Sequence, residues 1–311
     1  MLQKQNKISL FIDDISTKLL NIFKEQKRKS ARYNKELVIS AFMEEQITVH
    51  NKTELDIVTN KDIEIETFIK NSIRHKFPNH SILSEETDEV KKDINHLWVI
   101  DPIDGTINFA SGSPLFAISI AYLKKNDVLS GRIILPKFKA IYKAEKNIGA
   151  YKNNEKLTVS DKRLKESVVS VVLTSHFSSQ EINETLTIIR LLSDKVRGIR
   201  IIVSEALELA WIAEGILDGN ICVKADLYGA SAGKLLIEEA GGNVTNFSEE
   251  NFLHNPENIV ASNGIIHKEL IEIIQSRLDS QFMYRPWEIP TSTYTPKTLS
   301  TQSIASNPNP D

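Results

Sequence analysis

The chain has 311 residues, of which 41% are hydrophobic and 25% charged, with a formal net charge of −3. These values describe a globular chain long enough for one large or two closely packed domains, and they leave no electrostatic footprint for nucleic acid. A single cysteine, Cys222, excludes an intrachain disulfide. The first twenty residues carry no apolar core of signal-peptide length, and no run approaches the ~20 apolar residues of a spanning helix, so a cytoplasmic protein is expected.

From residue 8 to residue 46 apolar side chains recur at helical spacing, with Leu10, Ile15, Leu19, Leu20, Ile22 and Phe23 followed by Leu37, Ile39 and Phe42. One or two amphipathic helices are predicted. The basic residues Lys24, Lys27, Arg28, Lys29 and Arg32 read as a solvated helix face in a chain of net negative charge. The stretch Asp56-Ile57-Val58-Thr59-Asn60-Lys61-Asp62 then enters a helix predicted over 62–77, with Ile65, Phe68, Ile69 and Ile73 on one face and Pro78 beyond its end. Thr59 or Asn60 is the natural N-cap, which puts Asp62 in the first turn, where a carboxylate favours the helix dipole. Ser81-Ile82-Leu83 reads as a short strand ending at Glu85 and Glu86. If side chains alternate there, only one of the two carboxylates faces the next motif. The other, Glu86, suits a solvated acidic loop that continues through Asp88 and Glu89.

Leu97-Trp98-Val99-Ile100 reads as a buried strand, broken by a turn at Asp101-Pro102-Ile103-Asp104-Gly105-Thr106. Pro102 fixes its own φ and keeps Asp101 extended, so that carboxylate projects from the strand end. Gly105 allows a tight backbone that returns Asp104 toward Asp101 and bares the amides of Gly105 and Thr106. Two hard oxygen donors beside exposed N–H groups suit a divalent cation next to a phosphate, although Asp-Pro-x-Asp-Gly is also ordinary turn chemistry. Strands are predicted over 116–123, 128–135 and 139–145, with Asn126-Asp127, Asn147-Ile148-Gly149 and Asn153-Asn154 as turns, which makes an antiparallel sheet of sequence neighbours. From Ser167 onward strands and helices alternate: strand 168–173, helix 180–192, strand 200–203, helix 204–214, strand 220–223, helical stretch 225–242, strands near Val244 and 259–261, and a helix from Ile266 to about Arg277. The tail from Phe282, with five prolines and many Ser and Thr, has too little apolar surface for a core and is expected to be disordered.

Four stretches in this order resemble the inositol monophosphatase family of magnesium-dependent phosphatases: 56–62, Ser81 to Glu86, Asp101 to Thr106, and Gly233-Lys234-Leu235-Leu236-Ile237-Glu238-Glu239-Ala240-Gly241-Gly242. The likeness runs from about residue 45 to about residue 279. It implies an α/β layered αβαβα sandwich, with an α+β N-terminal half (1–165) carrying the metal site, an α/β C-terminal half (166–281) and the tail 282–311. It implies a Mg2+-dependent phosphomonoesterase acting on a small phosphorylated polyol or sugar resembling inositol-1-phosphate, in a homodimer with no nucleic-acid or membrane partner. Fructose-1,6-bisphosphatase, histidinol phosphatase and 3'(2'),5'-bisphosphate nucleotidase activities stay open, as does a phosphate-binding relative that has lost turnover. Carried over residue by residue, Glu85, Asp101 and the carbonyl of Ile103 bind a first ion, and Asp101 and Asp104 a second. Thr106, held by Asp62, positions the attacking water, and the amides of Gly105 and Thr106 hold the phosphate. Lys52 stands where the family has a lysine, either adding positive potential or simply solvated.

Two departures accompany the likeness. Where the family has Trp-Asp or Tyr-Asp at the start of the Ala-rich helix, this chain reads Tyr228-Gly229, which removes a ligand of the second metal. Asp226 is either its substitute or only a helix N-cap. The position whose acidic side chain contacts inositol hydroxyls aligns with Cys222, a poor hydrogen-bonding group. Glu205 is read as a contact to a sugar or polyol hydroxyl, or as a carboxylate favouring a helix N-terminus.

Overall fold

The computed structural model describes residues 2–24, 47–52, 57–87 and 95–279. The expected helix around Leu37, Ile39 and Phe42, the basic residues Lys27 to Arg32, the acidic pair Asp88 and Glu89, and the tail lie outside the described residues. The described residues belong to one compact unit.

The first helix, α1 (Leu2–Lys24), turns Ile8, Ile12, Ile15 and Leu19 inward, each no more than 2% exposed. These residues recur every three or four positions and so share one face. Leu10, assigned to that face from the sequence, is 63% exposed because it lies two residues from both Ile8 and Ile12, on the other side of the helix. A short hairpin of β1 (Val49–Asn51) and β2 (Ile57–Thr59) leads into α2 (Asn60–Lys76). Thr59 is the N-cap: its hydroxyl accepts from the Lys61 amide, and its own amide donates to Asp62 Oδ2 at 2.9 Å, forming a capping box.

The large sheet runs in the order β3-β4-β5-β6-β7-β8-β9. Its strands are β3 (Ser81–Ser84), β4 (Leu97–Asp104), β5 (Ala117–Lys124), β6 (Asp127–Leu135), β7 (Ala140–Glu145), β8 (Gly149–Lys152) and β9 (Glu155–Lys156), with the short helix α3 (Thr106–Ala110) between β4 and β5. β3 and β4 are parallel, and every later pair is antiparallel between sequence neighbours. β4 does not break at Asp101 as expected but continues through Pro102 to Asp104. Its partners step from Asp101↔Ser119 to Asp104↔Ala117, so β4 carries an extra residue there. Proline lacks the N–H a regular ladder needs, and this irregularity in register is where a strand tolerates it. The turn therefore begins at Gly105.

The second sheet has the order β11-β10-β12-β14-β13 and arises from β10 (Val168–Val171), α4 (Ser179–Leu192), β11 (Gly198–Arg200), α5 (Glu205–Ala213), β12 (Gly219–Cys222), α6 (Leu227–Glu239), β13 (Asn243–Thr245), β14 (Ile259–Ser262) and α7 (His267–Asp279). The strand expected over 200–203 lies earlier. Residues 201–203 leave the sheet, and Val203 takes φ 62°, a left-handed conformation rare for a β-branched residue. Helices α1 and α2 cover the outer face of the large sheet, α5 and α6 fill the space between the sheets, and α4 and α7 cover the far face of the small one. This is the αβαβα sandwich expected from the sequence. Among the described residues no helix is long and apolar enough to cross a membrane.

Arg132 of β6 is fully buried and fastens α1 to the sheet. Its guanidinium donates to Asp13 Oδ1 and Glu145 Oε1, both at 2.8 Å, and to Ser9 Oγ at 2.9 Å. Removing one partner of a buried ion pair strands the other, so Arg132→Ala is expected to cost about 3–5 kcal/mol, read as a lowered denaturation midpoint. His267 is 5% exposed at the start of α7 and contacts Ser262 Oγ at 3.0 Å and Thr245 Oγ1 at 2.9 Å. Burial holds its imidazole down at about 4. The unfolded chain therefore takes up this proton first as pH falls, and stability is lost between about pH 6.5 and pH 4, by on the order of 3 kcal/mol from this group. Denaturation profiles across that window should flatten in His267→Gln.

Candidate active site

The ends of β3 and β4 and the starts of α3, α5 and α6 converge on a cavity of about 260 Å3 whose wall includes Glu85, Asp101, Asp104, Thr106, Glu205 and Asp226. A larger hollow of about 530 Å3 over the outer face of α2, beside Ile63, Phe68 and His75, has a single carboxylate, Glu64, already paired with Lys61. The chemistry is concentrated in the smaller one.

Asp101 is buried at the bulge of β4, and its Oδ1 has no hydrogen-bond partner among the described residues. Burial, then the nearby carboxylates of Glu85 and Asp104, push its carboxyl well above the ordinary range. Burial raises Glu85 too, against the opposing pull of Lys52. Lys52 reaches both carboxylates beyond β3, with Nζ 3.3 Å from Glu85 Oε1 and 2.6 Å from Glu86 Oε2. The solvated reading of Glu86 is corrected here: its side chain is 2% exposed, and burial raises it to about 7. Strand alternation does not separate the pair, because β3 ends at Ser84 and both glutamates lie in the bend after it.

Asp104 reaches across to the second half of the chain. Its carboxylate accepts from the Ser204 hydroxyl, from the Glu205 amide at 2.9 Å and from the Ala206 amide at 3.0 Å. Burial nonetheless lifts it to about 6, with the Ser204 bond opposing. Gly105 has φ 86°, and a Cβ there would meet Ser204 Cβ at 3.0 Å and the carbonyl oxygens of Leu115 and Val203 at 3.2 Å, so only glycine fits. Asn108 Nδ2 donates to Leu115 O and Ile202 O, both at 2.8 Å, and pins the loop that contains the strained Val203. The sequence reading gave Ser204 and Asn108 no role in the site. Their only signal was proximity to the motif and to Glu205, and their partners lie about a hundred residues away.

Thr106 Oγ1 lies 3.0 Å from the Ile103 carbonyl and 3.3 Å from Asp62 Oδ1. One hydroxyl proton serves one of these acceptors at a time, so the threonine can hand its proton from the carbonyl to the carboxylate. Asp62 thus combines both sequence readings, with Oδ2 in the capping box and Oδ1 toward Thr106. Asp226 follows the capping reading: its Oδ1 accepts the amides of Tyr228 at 2.8 Å and Gly229 at 3.0 Å. Cys222 is buried in the cavity wall and donates to the Lys224 carbonyl at 3.0 Å.

Among the described residues no three His, Cys, Asp or Glu side chains form a ready-made metal cage. The donor chemistry still fits a hard divalent cation. Carboxylates that raise one another's proton affinity, with an orphaned Asp101 oxygen between them, are short of positive charge.

The inositol monophosphatase family model matches residues 21–279. The chain is 35% identical over 219 residues to a fructose-1,6-bisphosphatase/inositol-1-monophosphatase of Thermotoga maritima, covering 70% of this chain and 82% of that protein. It is 34% identical over 240 residues to the inositol-1-monophosphatase of Bacillus subtilis, with 75% and 89% covered. Among solved structures, the extragenic suppressor protein suhB of Bartonella henselae superposes with a TM-score of 0.76 at 27% identity, over 86% of this chain and 98% of that one. With its fold, its Asp101 to Thr106 stretch and a match that spans most of its length, the chain belongs to the inositol monophosphatase family and is a phosphatase of phosphate monoesters.

Proposed function

We propose that this phosphatase is magnesium-dependent and hydrolyses a small phosphorylated polyol or sugar, with an inositol-1-phosphate-like ester as the leading substrate. The observation that carries this reading is the unpartnered Asp101 oxygen, set between Glu85 and Asp104 at the floor of a cavity that the Gly105 turn also borders. At about 260 Å3 the cavity lies below the roughly 300–1,000 Å3 of drug-sized pockets, which favours a monosaccharide-sized ester over a nucleotide. Glu85, Asp101 and the Ile103 carbonyl would hold one ion, and Asp101 and Asp104 another, with residues 1–165 supplying these ligands and 166–281 the facing wall. Bound magnesium supplies charge neutralisation for the phosphate and its leaving oxygen.

The chain's own residues supply positioning. When Thr106 donates to Asp62, its hydroxyl oxygen is free to accept a hydrogen bond from a water and hold that water in line with the phosphorus. The amides of Gly105 and Thr106, at the start of α3, point donors at phosphate oxygens. A homodimer in the cytoplasm belongs to the same proposal.

Phosphate release from a panel of inositol-1-phosphate, fructose-1,6-bisphosphate, histidinol phosphate and a 3',5'-bisphosphate nucleotide, with and without magnesium, tests the reading. Asp101→Asn is expected to lower turnover by more than about 10²-fold, since an amide cannot replace a shared anion. A folded variant keeping over a tenth of the rate (about 10%) would remove Asp101 from the mechanism. Thr106→Ala and Asp62→Asn should each slow turnover, and the double variant should be scarcely slower than either, because the two act on one water. Multiplicative losses in steady-state kinetics would show that they act separately.

A further inference from the structure

Glu205, the first residue of α5, and Gly229, in the first turn of α6, face each other at close range in the cavity wall. A Cβ built on Gly229 would lie 3.5 Å from Glu205 Cβ, 3.7 Å from Glu205 Oε2 and 3.7 Å from Asp104 Oδ1. These are ordinary contact distances, and Gly229 lies inside a helix without positive φ, so neither sterics nor backbone conformation demands glycine there. The absence of a side chain on α6 opens a volume beside Asp104, and the Glu205 carboxylate enters it from the opposite helix.

The surroundings of that carboxylate narrow its role. Glu205 Oε1 is buried without a hydrogen-bond partner among the described residues. Its backbone amide, by contrast, is fixed to Asp104 Oδ1 at 2.9 Å, which holds the residue beside the proposed second-ion ligand. A carboxylate that only favoured a helix N-terminus would gain by remaining hydrated, whereas a buried one needs a counter-charge or a metal. Asp226, the other candidate on this side, uses one oxygen to hold two amides of α6.

We infer that Glu205 is a ligand of the second divalent cation, supplying from α5 the carboxylate that Gly229 leaves absent on α6. The inference rests on the metal-dependent phosphatase reading and deepens it. The two positions form a compensating pair: the glutamate, one methylene longer than aspartate, crosses from the facing helix into the space an aspartate at 229 would take.

Mn2+ binding to the full chain after chelator treatment, followed by calorimetry and by loss of the free-ion electron paramagnetic resonance signal, tests this without reference to turnover. Wild type is expected to bind two ions. Glu205→Gln should weaken the second by at least about tenfold while sparing the first, a loss no smaller than that of an outer-shell partner. The double variant Glu205→Ala with Gly229→Asp should recover most of the second-ion affinity that Glu205→Ala loses, which a merely structural role for Glu205 does not predict. Two-ion binding by Glu205→Gln at wild-type affinity overturns the inference and leaves the phosphatase reading standing, and an accompanying rise in KM for inositol-1-phosphate would assign Glu205 to the substrate instead. Failure of the double variant to improve on Glu205→Ala, with wild-type melting, also overturns it. A wild-type chain that binds no Mn2+ overturns both readings.

Discussion

The Asp104 carboxylate ties the large sheet to α5. It lies at the end of β4 in the large sheet and caps α5 of the second half, accepting the amides of Glu205 and Ala206 and the Ser204 hydroxyl. Ser204, the formal N-cap of α5, makes no side-chain cap of its own, so the orphan amides of that helix are satisfied by a residue a hundred positions earlier in the chain. This bond sets where α5 begins, and with it the placement of Glu205 and the approach of the Val203 loop to Gly105. A carboxylate that spends hydrogen bonds on architecture is also held still as a ligand, which is what a preorganised site requires.

Charge is distributed accordingly. Glu85, Asp101 and Asp104 crowd one end of a small cavity, and each is made a weaker acid than usual by burial and, for Asp101, by its neighbours. Lys52 offsets only the rim, at Glu85 and Glu86. A core built for stability alone would not gather so many buried carboxylates around so little positive charge. The strain at Val203, braced by Asn108, fits the same pattern of local cost tolerated at a working site.

Much of this was legible from residues alone, because it is local. Periodicity located α2, the antiparallel strands and the alternation of strands and helices after Ser167, and Gly105 marked the turn that follows β4. What escaped depends on partners distant in sequence. The strand was expected to give way to a turn at Asp101, because the continuation of β4 through Pro102 depends on a register shift against β5. Glu86 was assigned to solvent because its burial and its bond to Lys52 are set by tertiary packing. Asp226 was left between two roles, and its bonds to Tyr228 and Gly229 show the cap, made by Oδ1 alone. The facing of Glu205 and Gly229, on consecutive helices, had no signature in the order of residues.

Arg132 has a consequence for where the folding unit begins. The family match starts at residue 21, near the end of α1, yet Ser9 and Asp13 on that helix hold the Arg132 guanidinium, and Ile8, Ile12 and Ile15 roof the sheet above Ile100, Ile118 and Ile134. A polypeptide cut to the matched region would bare a slab of β-branched side chains and release a buried cation from its anchor. Such a slab is a surface for self-association, so the boundary drawn by shared ancestry and the boundary drawn by solubility fall about a helix apart.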